Sequence, residues 1–211
     1  MVVSQGPTIS MDPRMASHFR ALTPMSDADL SMIASLVRTR TVEKGEVLVG
    51  IGEPCRYTYM VLSGGLRNLF WDERGNEITR YIGIEGKVCA VMDAFVNGTP
   101  SKECIEAFEP GEVIEWGLAT HQELTAELPA WTLAYVTVLE KAQQLNAWRL
   151  SGLLGMTATQ RYAALVNAQP ELVERVPDRI LSTYIGISPE YFSRLKGAAY
   201  RFADLTNCKT P

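Results

Sequence analysis

Histidine and paired cysteine are scarce in this chain, and that scarcity removes most metal chemistry. Of 211 residues only two are histidine, His18 and His121, and four are cysteine. Cys55, Cys89, Cys104 and Cys208 stand far apart with no C-x-x-C spacing. Neither a zinc site nor an iron–sulfur cluster is therefore expected. Scattered thiols fit a reducing, cytoplasmic setting better than a disulfide framework. Long apolar runs are missing too: no stretch reaches the ~18 residues that a membrane helix needs. The opening MVVSQGPTIS has neither a basic start nor an apolar run and is not expected to be a signal peptide. Met1, Met11 and Met15 are candidate starts, and the first fifteen residues read as a flexible lead. Catalytic signatures are also lacking: there is no G-x-S-x-G elbow and no phosphate loop. From Val42 to Trp116 there is no histidine with which a barrel might hold a metal. The chain is expected to be neither an enzyme nor a cofactor carrier.

What is present is enough apolar content, 46%, for one large domain or two small ones. Charge is uneven. The net value is −4, but residues 157–211 hold 7 Lys+Arg against 5 Asp+Glu, leaving 13 against 19 in residues 1–156. An acidic front and a mildly basic back suit a sensor joined to a nucleic-acid reader.

Hydrophobic periodicity changes along the chain. Ser26–Arg38 reads as an amphipathic helix, with Ser26 and Asp29 as a capping box and Leu30, Ile33 and Val37 as its stripe. From Val42 the period becomes two. Short runs at 47–49, 57–62, 66–71, 78–84, 104–107 and 113–116 read as strands. Turns are expected between them, at Ser63-Gly64-Gly65, Asp72–Asn76, Glu85-Gly86 and Glu109-Pro110-Gly111-Glu112. Many short strands with glycine turns predict a β-barrel or roll. A short helix at 121–128 precedes a long one from Pro129 to about Leu154, which carries two apolar stripes. Trp131, Tyr135, Val138, Ala142 and Leu145 form one; Leu133, Val136, Ala147, Leu150 and Leu154 form the other. A helix apolar on two sides needs two partners: its own roll and a twin helix of a second copy.

Gly155-Met156-Thr157 reads as a hinge, followed by a helix over 157–167. The stretch Arg179–Tyr200 then reads as two helices about a tight turn. Ile180, Leu181, Tyr184 and Ile185 share one face, and Gly186 stops the first helix. Ser188 is an N-cap, Pro189 takes the first helical position, and Glu190 sits in the first turn. Ser182 is the small residue that lets the helices touch. This is the layout of a helix-turn-helix.

The order of short helix, roll, long helix, hinge and helix-turn-helix resembles the Crp/Fnr family of transcription regulators, over about Leu22 to Arg201. The likeness is carried by Val42-Glu43-Lys44-Gly45-Glu46, by Gly52-Glu53, and by Tyr59–Arg67. It continues at Thr99–Lys102 with Ile105-Glu106-Ala107, and at Tyr184–Glu190 with Ser193-Arg194. The resemblance implies an α+β chain: an N-terminal β-roll of the jelly-roll type, a dimerisation helix, and a winged-helix-like reading domain. The expected boundaries are 16–128, 129–155 and 156–211. It implies a homodimer, with Tyr135, Val138, Ala142 and Leu145 on the dimer helix. It also implies palindromic double-stranded DNA as a partner, and RNA polymerase beyond it. Glu190 and Arg194 match two of the family's base readers, while its early arginine is Pro189 here. Arg179, Ser193 and Lys196 are expected on phosphates, with Ser188 and Tyr191 completing the DNA-facing set.

The effector pocket departs from the family's cyclic-nucleotide pattern. The Gly-Glu pair for the ribose is absent, because Glu85 precedes Gly86. Ser101 stands where the phosphate arginine is expected. Lys87, Ser101 and Lys102 are the pocket candidates, for a small-molecule effector of unknown identity that is not a cyclic nucleotide. The alternative is a non-catalytic sensor or interaction protein that has lost DNA binding.

Overall fold

The computed structural model describes residues 12–197. Met1, Met11, Cys208, the end of the Arg179–Tyr200 stretch and any wing lie outside them. Contacts gather the chain into two compact units: one runs up to Phe70 and over Tyr81–Gln143, the other takes Trp71–Arg80 and everything from Gln144 on. The boundary thus falls inside the long helix rather than at Gly155.

The first unit opens with α1 (Pro13–Arg20), where a flexible lead was expected. Asp12 caps it by accepting from the Arg14 amide, Pro13 takes the first turn, and Met15, Ala16 and Phe19 are buried. Those three apolar contacts turn the end of the lead into core. Helix α2 (Asp27–Leu36) starts at the expected Ser26–Asp29 capping box and buries Leu30 and Ile33.

Six strands follow: β1 (Arg38–Val42), β2 (Val47–Val49), β3 (Tyr57–Trp71), β4 (Glu77–Gly83), β5 (Val88–Cys89) and β6 (Cys104–Gly117). They form an antiparallel sheet in the order β1-β6-β3-β4, with β2 on β6 and β5 on β3. Two expected turns are not turns. Strand β3 runs through Ser63-Gly64-Gly65 and β6 through Glu109-Pro110-Gly111, pairing Ser63 with Glu112 and Gly65 with Glu109 across shifted register. The glycines are there for space. A Cβ on Gly65 would lie 2.1 Å from the Phe108 ring, and one on Gly111 would lie 2.0 Å from the Ser63 carbonyl. Gly64, at φ +83°, also makes the bulge.

Alternation along β3 feeds two cores. Met60 and Leu62 join Phe19, Leu30, Ile33 and Trp131 under the helices. Tyr59, Val61 and Leu66 join Val42, Phe95 and Ile105 inside the roll. Helix α3 (Met92–Asn97), unforeseen in the sequence, closes on the left-handed Gly98. Helix α4 (Leu118–Glu127) leads to α5 (Pro129–Gly155), 27 residues long. At ~1.5 Å per residue it extends about 40 Å.

The second unit contains α6 (Ala158–Ala168), capped by Thr157 and Gln160, and α7 (Pro170–Arg175). The latter is one turn and a half where only proline punctuation was expected. Then come α8 (Asp178–Ile185) and α9, helical over residues 189–197. The tip of the β3–β4 hairpin, Trp71–Arg80, belongs to this unit. Its turn is closed by Asp72, whose carboxylate accepts from the Arg74 and Asn76 amides at 2.9 and 2.8 Å.

Candidate nucleic-acid interface and effector pocket

The helix-turn-helix is built as its sequence predicts. Leu181 and Phe192 are fully buried between the helices, and Ile185 is nearly so. Ser182 is also fully buried, with its hydroxyl donating to the Arg179 carbonyl at 2.7 Å. A larger side chain there would push α8 and α9 apart. Gly186 adopts φ +70°, and the Ile187 amide closes the turn on the Ser182 carbonyl at 3.0 Å. Tyr162 of α6 meets Phe192 edge to face at 5.3 Å and supports α9 from behind.

Helix α9 begins at Ser188, whose Oγ accepts from the Tyr191 amide at 3.2 Å. Glu190, Tyr191, Ser193 and Arg194 face solvent. Arg194 lies over the Tyr191 ring at 5.4 Å, which pre-orients its guanidinium. The amide of Glu190 itself, then the Ser188 hydroxyl, hold the Glu190 carboxyl below the usual range. It is therefore a dedicated acceptor at neutral pH.

Of the three residues expected on phosphate, Ser193 is exposed and the two cations are already engaged. Lys196 is half-buried and reaches Asp178 at 2.7 Å, whereas the sequence placed it on the open face. Arg179 is largely exposed and reaches Glu77 of the hairpin tip at 3.4 Å.

Behind α8 sit two arginines that sequence reasoning did not single out. Arg161 donates to the Ile185, Met156 and Gly186 carbonyls at 2.7, 2.8 and 3.4 Å, capping the end of α8. Arg149 donates to Tyr184 O at 2.7 Å, to Thr79 O at 3.1 Å and to Arg80 O, and stacks on the Tyr184 ring at 4.1 Å. Burial lowers its pKa. Their signal in the sequence was an arginine inside an otherwise apolar helical stretch, which reads equally as a solvated position.

In the roll the three pocket candidates do not converge. Ser101 is buried, but its hydroxyl is spent on Glu103, donating to the carbonyl at 2.6 Å and accepting from the amide at 3.2 Å. Its main chain pairs with Gly52 and Glu53. Lys87 and Lys102 are exposed. Other polar groups fill the interior instead. Arg67, 5% exposed, pairs with Glu106 at 2.9 Å. Asn68, fully buried, donates to Ala90 O at 3.1 Å and to Glu103 Oε2 at 3.3 Å. Adjacent strand residues face opposite ways, so a buried Arg67-Asn68 pair requires β3 to be covered on both sides.

The dimer-helix candidates also change. Tyr135 turns to its own unit, its ring 4.7 Å from His121 and its hydroxyl 3.8 Å from Met92 Sδ. Val138 lines a small apolar cavity of about 40 Å³ with Phe19, Trp116 and Trp131. Ala142 and Leu145 are half-buried. The open stripe is the other one: Leu133, Val136, Leu150 and Leu154 are 58%, 43%, 57% and 81% exposed.

A sheet roll followed by a helix-turn-helix defines the class, and comparison with known proteins agrees. Residues 39–127 match the cyclic nucleotide-binding domain family. The transcriptional regulatory protein btr of Bordetella pertussis is 24% identical over 199 residues, covering 86% of this chain and 79% of that one. Among solved structures, the c-di-GMP-responsive global regulator CLP of Xanthomonas campestris superposes with a TM-score of 0.71 at 16% identity, covering 84% of this chain and 93% of CLP. A crp/fnr-family protein from Eubacterium rectale gives 0.63 at 15%, covering 83% and 85%. In fold the chain is similar to these two solved regulators, and in sequence to btr.

Proposed function

We propose that the protein is a DNA-binding transcription regulator that reads a palindromic site as a homodimer, and that its roll does not take cyclic AMP or cyclic GMP. The observation that carries the DNA reading is the solvent-facing set Glu190, Ser193 and Arg194 on α9, ordered by the Ser188 cap and the Tyr191 stack. Arg194 can donate a fork to guanine and Glu190 can accept from cytosine. One helix reads only a few base pairs. A two-fold pair sets two such helices about one DNA turn, ~34 Å, apart. The open stripe of α5 suits that pairing, since one roll covers only the other stripe. On this reading the front unit senses, α5 joins the copies, and the back unit reads DNA. RNA polymerase is then the further partner, and the cytoplasm the compartment. Among the described residues no helix is long and apolar enough to cross a membrane.

Against cyclic nucleotides stand Ser101 at the phosphate position and the internal pairing of Arg67, Asn68 and Ser101. A buried cyclic phosphate needs a charge-assisted fork, and Lys87 and Lys102 both face water.

Selection of duplex DNA with purified protein, followed by titration across salt, tests the reading. Affinity should fall ~10³-fold or more between 50 and 200 mM salt, and weak binding at every salt would favour the interaction-protein alternative. Leu133→Asp with Leu150→Asp should give monomers on sedimentation. Calorimetry should find neither cyclic nucleotide binding below about 50 μM, a threshold for physiological sensing.

A further inference from the structure

The structure assigns the β3–β4 hairpin tip, Trp71–Arg80, the role of an internal competitor for the DNA that the reading helices would take. The assignment rests on the proposed DNA reading and adds a control to it.

The tip lies on α8 through three contacts. Thr183 donates its hydroxyl proton to the Ile180 carbonyl at 2.9 Å, so it can only accept from Thr79, whose Oγ1 is 2.7 Å away. Arg149 then grips both partners at once: its Nη2 donates to Thr79 O and to Tyr184 O, and its Nη1 donates to Arg80 O. Last, the carboxylate of Glu77 reaches Arg179 at 3.4 Å.

The place matters more than the number of contacts. Arg179 stands in the first turn of α8, and the first helix of such a motif crosses the phosphate backbone. A carboxylate held there takes the cation a phosphate would use and repels the phosphate as well. Lys196, the other cation expected on phosphate, is likewise held by Asp178. The conformation seen is therefore one whose phosphate-facing cations are neutralised from within.

Arg149 makes the contact reversible. Among the described residues no carboxylate pairs with it; carbonyl dipoles and one ring hold it. Burial works against its charge, so water competes for the guanidinium whenever the tip lifts. A carboxylate in that place would lock the tip down.

The test is a staple. Thr79→Cys with Thr183→Cys replaces two hydroxyls 2.7 Å apart with two thiols that an oxidant can join. The native Cys55, Cys89 and Cys104 are buried, and Cys208→Ser removes the remaining one. Fluorescence anisotropy would be read on the selected duplex. Oxidation should weaken binding at least ~10-fold, and reductant should restore it, with the same protein lacking the two new cysteines unaffected. Glu77→Gln, a substitution of unchanged shape, should tighten binding by roughly 2–5-fold at low salt, the range of an exposed ion pair. An oxidised staple that binds as tightly as the reduced one, or a Glu77→Gln that binds no better than wild type, overturns the competitor and leaves DNA reading intact. Failure of every form, stapled or free, to bind any selected duplex overturns both.

Discussion

The roll holds its buried arginine with a carboxylate, and the reading unit holds its own with main-chain carbonyls. Arg67 meets Glu106 across paired strands. Arg149 meets Thr79, Arg80 and Tyr184, from two segments far apart in sequence. In the first arrangement charge faces charge across two paired strands. In the second no carboxylate pairs with the arginine among the described residues, and it ties separate segments together, so its strength depends on their staying in place. The first therefore depends on one strand ladder, whereas the second depends on two distant segments staying together.

The largest test of the contrast concerns glycines. Gly111→Ala would set a methyl 2.0 Å from the Ser63 carbonyl, on a strand that cannot move alone. A loss of about 4 kcal/mol or more is expected by denaturant titration, in the range reserved for severe core defects. Gly186→Ala meets only Leu153 Cδ2, at 3.1 Å, but must keep φ +70°. It should cost about 1–2 kcal/mol, the penalty of left-handed backbone. Equal losses would mean that both glycines serve conformation rather than space.

Arg67→Leu should cost about 2–3 kcal/mol, below the full value for a buried pair because Glu106 keeps some access to water. Adding Glu106→Leu should recover most of that. Arg149→Leu should cost about 1–3 kcal/mol from stranded carbonyls, and no carboxylate substitution should restore it. Recovery in both regions, or in neither, would dissolve the contrast.

On DNA, Arg194→Ala should lose about 1–3 kcal/mol on the selected site and relax one base pair per half-site. Lys196→Ala should weaken all sequences alike and by less, because Asp178 already holds the lysine. Equal losses on selected and random duplexes would make Arg194 a phosphate contact.

The smallest effect is expected at His121. Burial lowers its pKa from 6.5, and its Nδ1 accepts from Trp131 Nε1 at 3.2 Å. The unfolded chain then takes the proton first. The His121 contribution to stability should be whole above pH 6.5 and decline as pH falls through the depressed folded value. Stability measured from pH 8 to 5 by Trp fluorescence should show that slope, and His121→Asn should flatten it.

These contrasts follow how far each feature was legible in the sequence. The helix-turn-helix was readable because its determinants are local: Gly186, Ser188, Pro189 and the spacing of Leu181, Ile185 and Phe192. In the roll, strands are visible as runs, but Gly64, Gly65 and Gly111 read as turns where the strands continue. A glycine that provides room looks the same in one dimension as one that provides a positive φ. The Arg67–Glu106 pair spans 39 positions, beyond any local pattern. Periodicity found both stripes of α5, yet which one the roll covers depends on Phe19 and Met92, far away in the chain. Helix α1 is announced only by Asp12-Pro13, a cap and first-turn pair set among weakly patterned neighbours.

The docked hairpin also has a place in time. Thr79 and Thr183 are 104 positions apart, and Glu77 and Arg179 are 102 apart. At ~5–20 residues per second of synthesis, the tip emerges roughly 5–20 s before the helix that receives it. During that interval it must stay ordered and soluble alone. The Asp72 turn provides for this, since its carboxylate satisfies the Arg74 and Asn76 amides with no help from α8. A nascent chain therefore carries a finished tip and no seat for it, and the tip settles only once the reading helices have been made.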